Sequence, residues 1–183
     1  MIEKAVHKSQ HCQRNWDLSR SIPEEDLQVI ETAITACPSK QNYIFYDPWM
    51  ITDRETIDKI YHATDGFILP DGSSKTNSQT LANLLVVFCE STNYNGQGIR
   101  SDIAVENKRS KKEHGSMQQQ RELAIGIAAG YLNLTASLLG YSTGCCTCFN
   151  GPAVQNIIKT NSPPRLLMGC LLYTSDAADE GLV

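Results

Sequence analysis

The sequence predicts a single α+β domain, on three observations. Residues 84–89 form an uninterrupted apolar run of strand length, as expected of a strand covered on both faces. Residues 118–139 contain no proline and carry apolar side chains around nearly the whole circumference of a helix, which predicts burial on most sides. Helical and strand-like patterns alternate around these two segments without an internal repeat. At 183 residues the chain can bury one sizeable core and is short for two.

Residues 1–9 allow a short helix, and 10–21 are polar and irregular. The next helix starts with Ser21 as N-cap and Pro23 near the first helical position. Glu24, Glu25 and Asp26 fall in its first turn, where the helix dipole favours carboxylates. Leu27, Ile30, Ala33 and Ile34 make its apolar face, and Pro38 ends it. Residues 43–52 are rich in aromatic and β-branched side chains and predict a strand, with Pro48 arguing for the sheet edge. Asp53 can cap a helix that carries Ile57, Ile60 and Tyr61 at helical spacing. Residues 66–79 read as loop, as does the stretch from 90 to 117. Gly140 stops the long helix, 141–149 return as a strand, 152–159 as a short helix, and 165–169 begin a last strand.

Composition alone names no function: 41% apolar and 20% charged residues suit an enzyme or a binding module equally. The net charge of -4 and a basic cluster at 108–112 without interleaved aromatics speak against nucleic acid. No apolar run reaches the roughly 20 residues that cross a bilayer, and no signal-peptide pattern opens the chain, so no membrane is expected and the cytoplasm is the expected compartment. There, the seven cysteines read as thiols.

Three separated segments carry a resemblance by their order and spacing. His11-Cys12-Gln13-Arg14-Asn15-Trp16, with Ile22-Pro23-Glu24-Glu25-Asp26-Leu27 following at the usual interval, is similar to the Arg-Ser-x-Arg-x-aromatic motif of the nitroreductase family. Cys37-Pro38-Ser39-Lys40-Gln41-Asn42 is similar to its Ala-Pro-Ser-x-x-Asn motif. The third is the long apolar helix leading through Leu139-Gly140-Tyr141 to a strand and the turn around Thr147 and Cys148. The resemblance runs from residue 1 to about 169 and implies a mixed, mostly antiparallel sheet flanked by helices, with FMN held between the subunits of a homodimer whose core contains the long helix. Leu132 of that helix is the expected test of the interface.

The resemblance places His11, Cys12 and Arg14 at the cofactor, Arg14 on the phosphate or on the carbonyl edge of the ring. It places Pro38, Ser39 and Asn42 near the ribityl chain and pyrimidine edge, in part from the neighbouring subunit. Thr147 and Cys148 fall where backbone groups approach the reactive flavin nitrogen. The implied chemistry is transfer of hydride from NADH or NADPH through FMN to a nitro compound, quinone or similar small-molecule acceptor, with no side-chain catalyst assigned. Two residues depart from the pattern: His11 stands where the family commonly has Arg, and Cys148 where many relatives have Gly.

Each residue also has a plainer reading. Arg14 suits a surface side chain, Ser39 can satisfy local backbone groups, and Asn42 is a common turn residue. Cys145-Cys146-x-Cys148 suggests a metal module, but neighbouring strand positions point to opposite faces, which favours thiols packed as small apolar groups. A degenerate scaffold that binds flavin without turnover is the alternative function. From Cys170 the sequence departs from the family and resembles the in-frame translation of a sequencing-library transposon end. The expected organisation is therefore a domain over 1–169 and a foreign tail over 170–183, without the family's further basic residues and subunit-wrapping arm.

Overall fold

A computed structural model describes residues 2–75, 77–91 and 117–172. The expected loop between 90 and 117, its basic cluster and the last eleven residues of the expected tail lie outside the described residues. In chain order the elements are α1 (Ile2–Lys8), α2 (Glu24–Ala36), β1 (Tyr46–Ile51), α3 (Arg54–His62), β2 (Phe67–Ile68), β3 (Ser74–Lys75), β4 (Leu84–Glu90), α4 (Met117–Leu138), β5 (Tyr141–Cys146), α5 (Gly151–Ile158) and β6 (Pro164–Leu172). This is the α+β arrangement that the pattern predicts.

The main sheet has the order β1-β4-β6-β5, and its pairings are all antiparallel. Central β4 is buried at every position. Leu84, Val86 and Phe88 face the layer of α2 and α4, packing with Ile30, Ile34 and Leu132. Leu85, Val87 and Cys89 face the opposite layer, with Ile57 and Ile60 of α3 and Val154 and Ile158 of α5. The period of two thus feeds two cores, and each fully buried aliphatic or aromatic side chain contributes roughly 1.5–3 kcal/mol. Pro48 lies on edge strand β1, where a missing N–H costs least.

Four expectations are revised. Helix α2 starts later than Ser21 implies: Pro23 occupies the N-cap position with extended backbone, and its carbonyl accepts from the N–H groups of Asp26 and Leu27. Ser21 stands two residues before that cap, too early to cap the first turn. The supposed loop 66–79 contains the hairpin β2–β3 and the start of a 3-10 turn, Ser78–Thr80. The hairpin is closed by Asp71, whose carboxylate accepts from Ser73 N–H at 2.9 Å, and by Gly72 at φ +82°.

Helix α4 is covered on one side only. Ala124, Ala128, Leu132 and Ala136 are buried against α2 and the sheet, whereas Leu123, Ile127, Tyr131, Leu134 and Leu138 form an exposed stripe. Leu132 is wholly buried in the chain's own core, so it is no interface residue. Lastly, β6 does not stop at 169: Cys170 pairs with Leu84 and Thr143, and Cys170 and Leu171 are fully buried. The first residues assigned to the tail therefore complete the strand.

Candidate functional site

The site forms along β5, the edge strand at the other end of the sheet. The irregular segment around residues 11–16 lies on this edge. Gln13 N–H donates to Thr143 O at 2.9 Å, and the Trp16 indole N–H donates to Ser78 O at 2.8 Å. Two paired glycines make room for it. A Cβ on Gly144 would stand 2.4 Å from Gln13 O and 2.6 Å from Gln79 Cβ; one on Gly169, its partner on β6, would stand 2.1 Å from Gln79 O. All three separations are below van der Waals contact, so this seam accepts only glycine.

Above the seam runs a polar network. Asn77 donates through Nδ2 to the carbonyls of Asp65 and Cys148, and Gln79 donates through Nε2 to Asn77 Oδ1 and Cys145 O. The Asp65 N–H also reaches Cys148 O, at 2.8 Å. Asn77 and Gln79 are buried, and among the described residues Gln79 Oε1 has no hydrogen-bond partner. A buried acceptor of this kind is costly unless a donor reaches it.

Cys12 meets Cys145 here. Its sulfur lies 3.3 Å from Cys145 N, which donates to it, and 3.7 Å from Cys145 O. The Cys145 thiol, the Cys145 N–H and the nearby positive charge of Arg14 together hold the Cys12 thiol down at about 6, against the opposing effect of burial. The same contact, with burial, pushes the Cys145 thiol up. Cys12 is therefore the more acidic member of the pair.

The sequence-predicted residues fall into two groups. His11, Cys12 and Arg14 are exposed on the β5 edge, and Thr147 and Cys148 are exposed just beyond the end of that strand. Pro38, Ser39 and Asn42 lie instead after α2. There Ser39 Oγ donates to Tyr43 O at 2.7 Å, and Asn42, in the left-handed region at φ 56°, donates its N–H to Ser39 O at 3.1 Å. A cavity of about 170 Å³ adjoins them, lined in part by Cys37, Ser39, Tyr46 and Asp47. Among the described residues no hydrogen bond joins the two groups. The sequence reading missed Asn77, Gln79 and Gly144. Their only sequence signal is polar or small residues in an otherwise unremarked loop and strand.

No family profile and no curated sequence matches the chain. Solved structures do. A Staphylococcus epidermidis protein named for a proposed NAD(P)H:FMN oxidoreductase activity superposes with a TM-score of 0.74 at 19% identity, covering 100% of this chain and 92% of its own. A nitroreductase family protein from Streptococcus pneumoniae gives 0.72 at 14% identity, with 92% and 89% covered. Another from Clostridium novyi gives 0.71 at 15% identity, with 97% and 87% covered. The chain has the nitroreductase fold. At such identities the likeness concerns the fold, and function rests on the site.

The residues present fit a flavin mononucleotide in part. Exposed Arg14 suits an anion or a carbonyl edge. The Cys12 sulfur already takes the Cys145 N–H, at 3.3 Å.

Proposed function

We propose that the chain is an oxidoreductase of the nitroreductase type, which holds FMN and uses NADH or NADPH to reduce a nitro compound, a quinone or a similar planar acceptor. The observation that supports it best is Arg14 on the β5 edge, ahead of the open turn at Thr147 and Cys148, in a fold shared over nearly the whole chain with nitroreductase-family proteins. When bound, the flavin would accept and donate the hydride. The chain's own groups would orient it: Arg14 would hold the anionic or carbonyl edge, and the backbone at Thr147 and Cys148 the approach to the ring. This chemistry needs no side-chain nucleophile or general base, and none is assigned. In this proposal the reaction takes place in the cytoplasm, where NADH and NADPH are at hand.

The working unit in this proposal is a homodimer. The exposed apolar stripe of α4 continues onto Val29 of α2, a surface suited to a second copy. Gly126 and Gly130 on the same helix have open space where a Cβ would be, which lets another helix approach closely. A second copy would also bring its Ser39 and Asn42 groups toward the Arg14 site, which one chain does not do.

A second reading is a flavin-binding protein without turnover. His11, standing where the family commonly has Arg, and Cys148, standing where many relatives have Gly, favour it. The visible spectrum of the purified chain, with released cofactor identified by chromatography, tests both. An FMN spectrum bleached by NADH or NADPH and restored by a nitroaromatic or quinone supports the enzyme. FMN without NAD(P)H oxidation selects the second reading, and a colourless protein that takes up no added FMN overturns both.

A further inference from the structure

The β5 edge carries a second chemistry that needs no flavin. Cys12 and Cys145 are 133 residues apart in sequence, yet both are fixed. Cys145 belongs to β5, and Cys12 is anchored through its neighbour Gln13, bonded to Thr143, and through Trp16, bonded to Ser78. Of the three cysteines near the strand end, Cys146 is buried in the layer of α3 and α5, because consecutive strand residues point to opposite faces. Cys148 is exposed, and its carbonyl is held by Asp65 and Asn77. Of these three, Cys145 alone meets Cys12, its N–H donating to the Cys12 sulfur at 3.3 Å, and the two thiols and the Arg14 charge are close enough to shift one another's titration. Both sulfur-bearing residues are exposed, so a small oxidant can reach them. Among the described residues no three His, Cys, Asp or Glu side chains converge to hold a metal.

We propose that Cys12 and Cys145 form a peroxide-reactive dithiol, with Cys12 as the attacking thiolate, Cys145 as the resolving thiol, and a Cys12–Cys145 disulfide as the product. The Cys12 sulfur attacks one oxygen of hydrogen peroxide; the S–O bond forms, the O–O bond breaks, and the departing hydroxide takes up the proton that Cys12 had released. The Cys145 sulfur then attacks the Cys12 sulfenic acid. The S–S bond forms, the S–O bond breaks, and the second hydroxide leaves as water with the Cys145 proton. Two thiols are oxidised by two electrons, and one peroxide is reduced to two waters. The disulfide closes a loop of more than a hundred residues and clamps the N-terminal segment to the sheet, which raises the melting temperature by several degrees.

The test uses the full chain, reduced, freed of reductant and exposed to one equivalent of hydrogen peroxide at neutral pH. The expected product has lost two hydrogens by intact mass and two titratable thiols, and peptide mapping finds Cys12 joined to Cys145. Cys145→Ser should halt at a sulfenic acid on Cys12 that dimedone traps, and Cys12→Ser should consume peroxide about tenfold more slowly. A disulfide joining Cys148 to Cys145 or Cys146, or peroxide consumption unchanged in a folded Cys12→Ser variant, overturns the proposal. If circular dichroism shows that variant unfolded, substoichiometric iodoacetamide on the wild-type chain decides. Preferential labelling of Cys12 over exposed Cys148 sustains the proposal, and equal labelling sinks it.

Discussion

At the scale of single residues, the site depends on side chains that are missing as much as on those present. Gly144→Ala would drive a methyl group into Gln13 O and Gln79 Cβ, so we expect a loss of about 1–3 kcal/mol, read as a lower urea midpoint at unchanged slope. Cys12 carries a pH dependence with a definite sign. Its thiol falls from 9.0 to about 6 on folding, so its contribution is present above pH 9 and is lost as pH falls toward 6. Cys145 moves the other way: its contribution is present below 9.0 and is lost as pH rises above it. Stability from the pair should therefore peak near pH 9, and Cys12→Ser should flatten the acid side of the urea-midpoint profile. The sequence marked Cys12 and Arg14 through their motif, but not Cys145 as the partner. A contact across 133 residues leaves no local pattern.

At the scale of elements, local rules were legible where the capping residue directly precedes the helix. Asp53, the cap read from the sequence, accepts from Thr56 N–H at 2.8 Å; Asn150, which was not read as one, accepts from Ala153 N–H at 3.0 Å. Replacing either by Ala should cost about 1 kcal/mol, measurable by chemical denaturation. Ser21 was misread because Pro23, at φ -57° and ψ 148°, takes the N-cap position and moves the start of α2 two residues on. Strand β4 was plain, its burial being written in six consecutive apolar residues. The hairpin β2–β3 was not, since two-residue strands carry no measurable period. Glu90 shows a further limit. It receives Arg121 at 3.2 Å and Arg165 at 2.5 Å, a clasp between β4, α4 and β6 formed by three charges far apart in sequence. Glu90→Leu should be milder than Arg165→Leu together with Arg121→Leu, because the double replacement strands a buried carboxylate; thermal melts of the two would check this.

At the scale of the whole molecule, α4 divides the sequence's message in two. Its apolar residues were legible as a nearly complete belt, but the chain covers only half of it, and periodicity does not say whether a neighbour comes from the same chain. Two substitutions separated by two positions tell the faces apart. Leu132→Asp should abolish folding, because a carboxylate would enter a fully buried site. Leu134→Asp should leave the far-ultraviolet spectrum intact and shift the sedimentation coefficient from dimer to monomer. An unchanged coefficient would remove α4 from the proposed interface.

The two edges of the main sheet are both occupied or blunted: β5 by the segment of Gln13 hydrogen-bonded along it, and β1 by Pro48, which has no N–H to offer. Open strand edges are where folded proteins template one another into fibres, so this molecule should resist such polymerisation while its first sixteen residues stay in place. Removing them would uncover β5, and the shortened chain should gain thioflavin-positive aggregation under conditions in which the full chain stays clear. The N-terminal segment thus acts as a guard on the solubility of the fold.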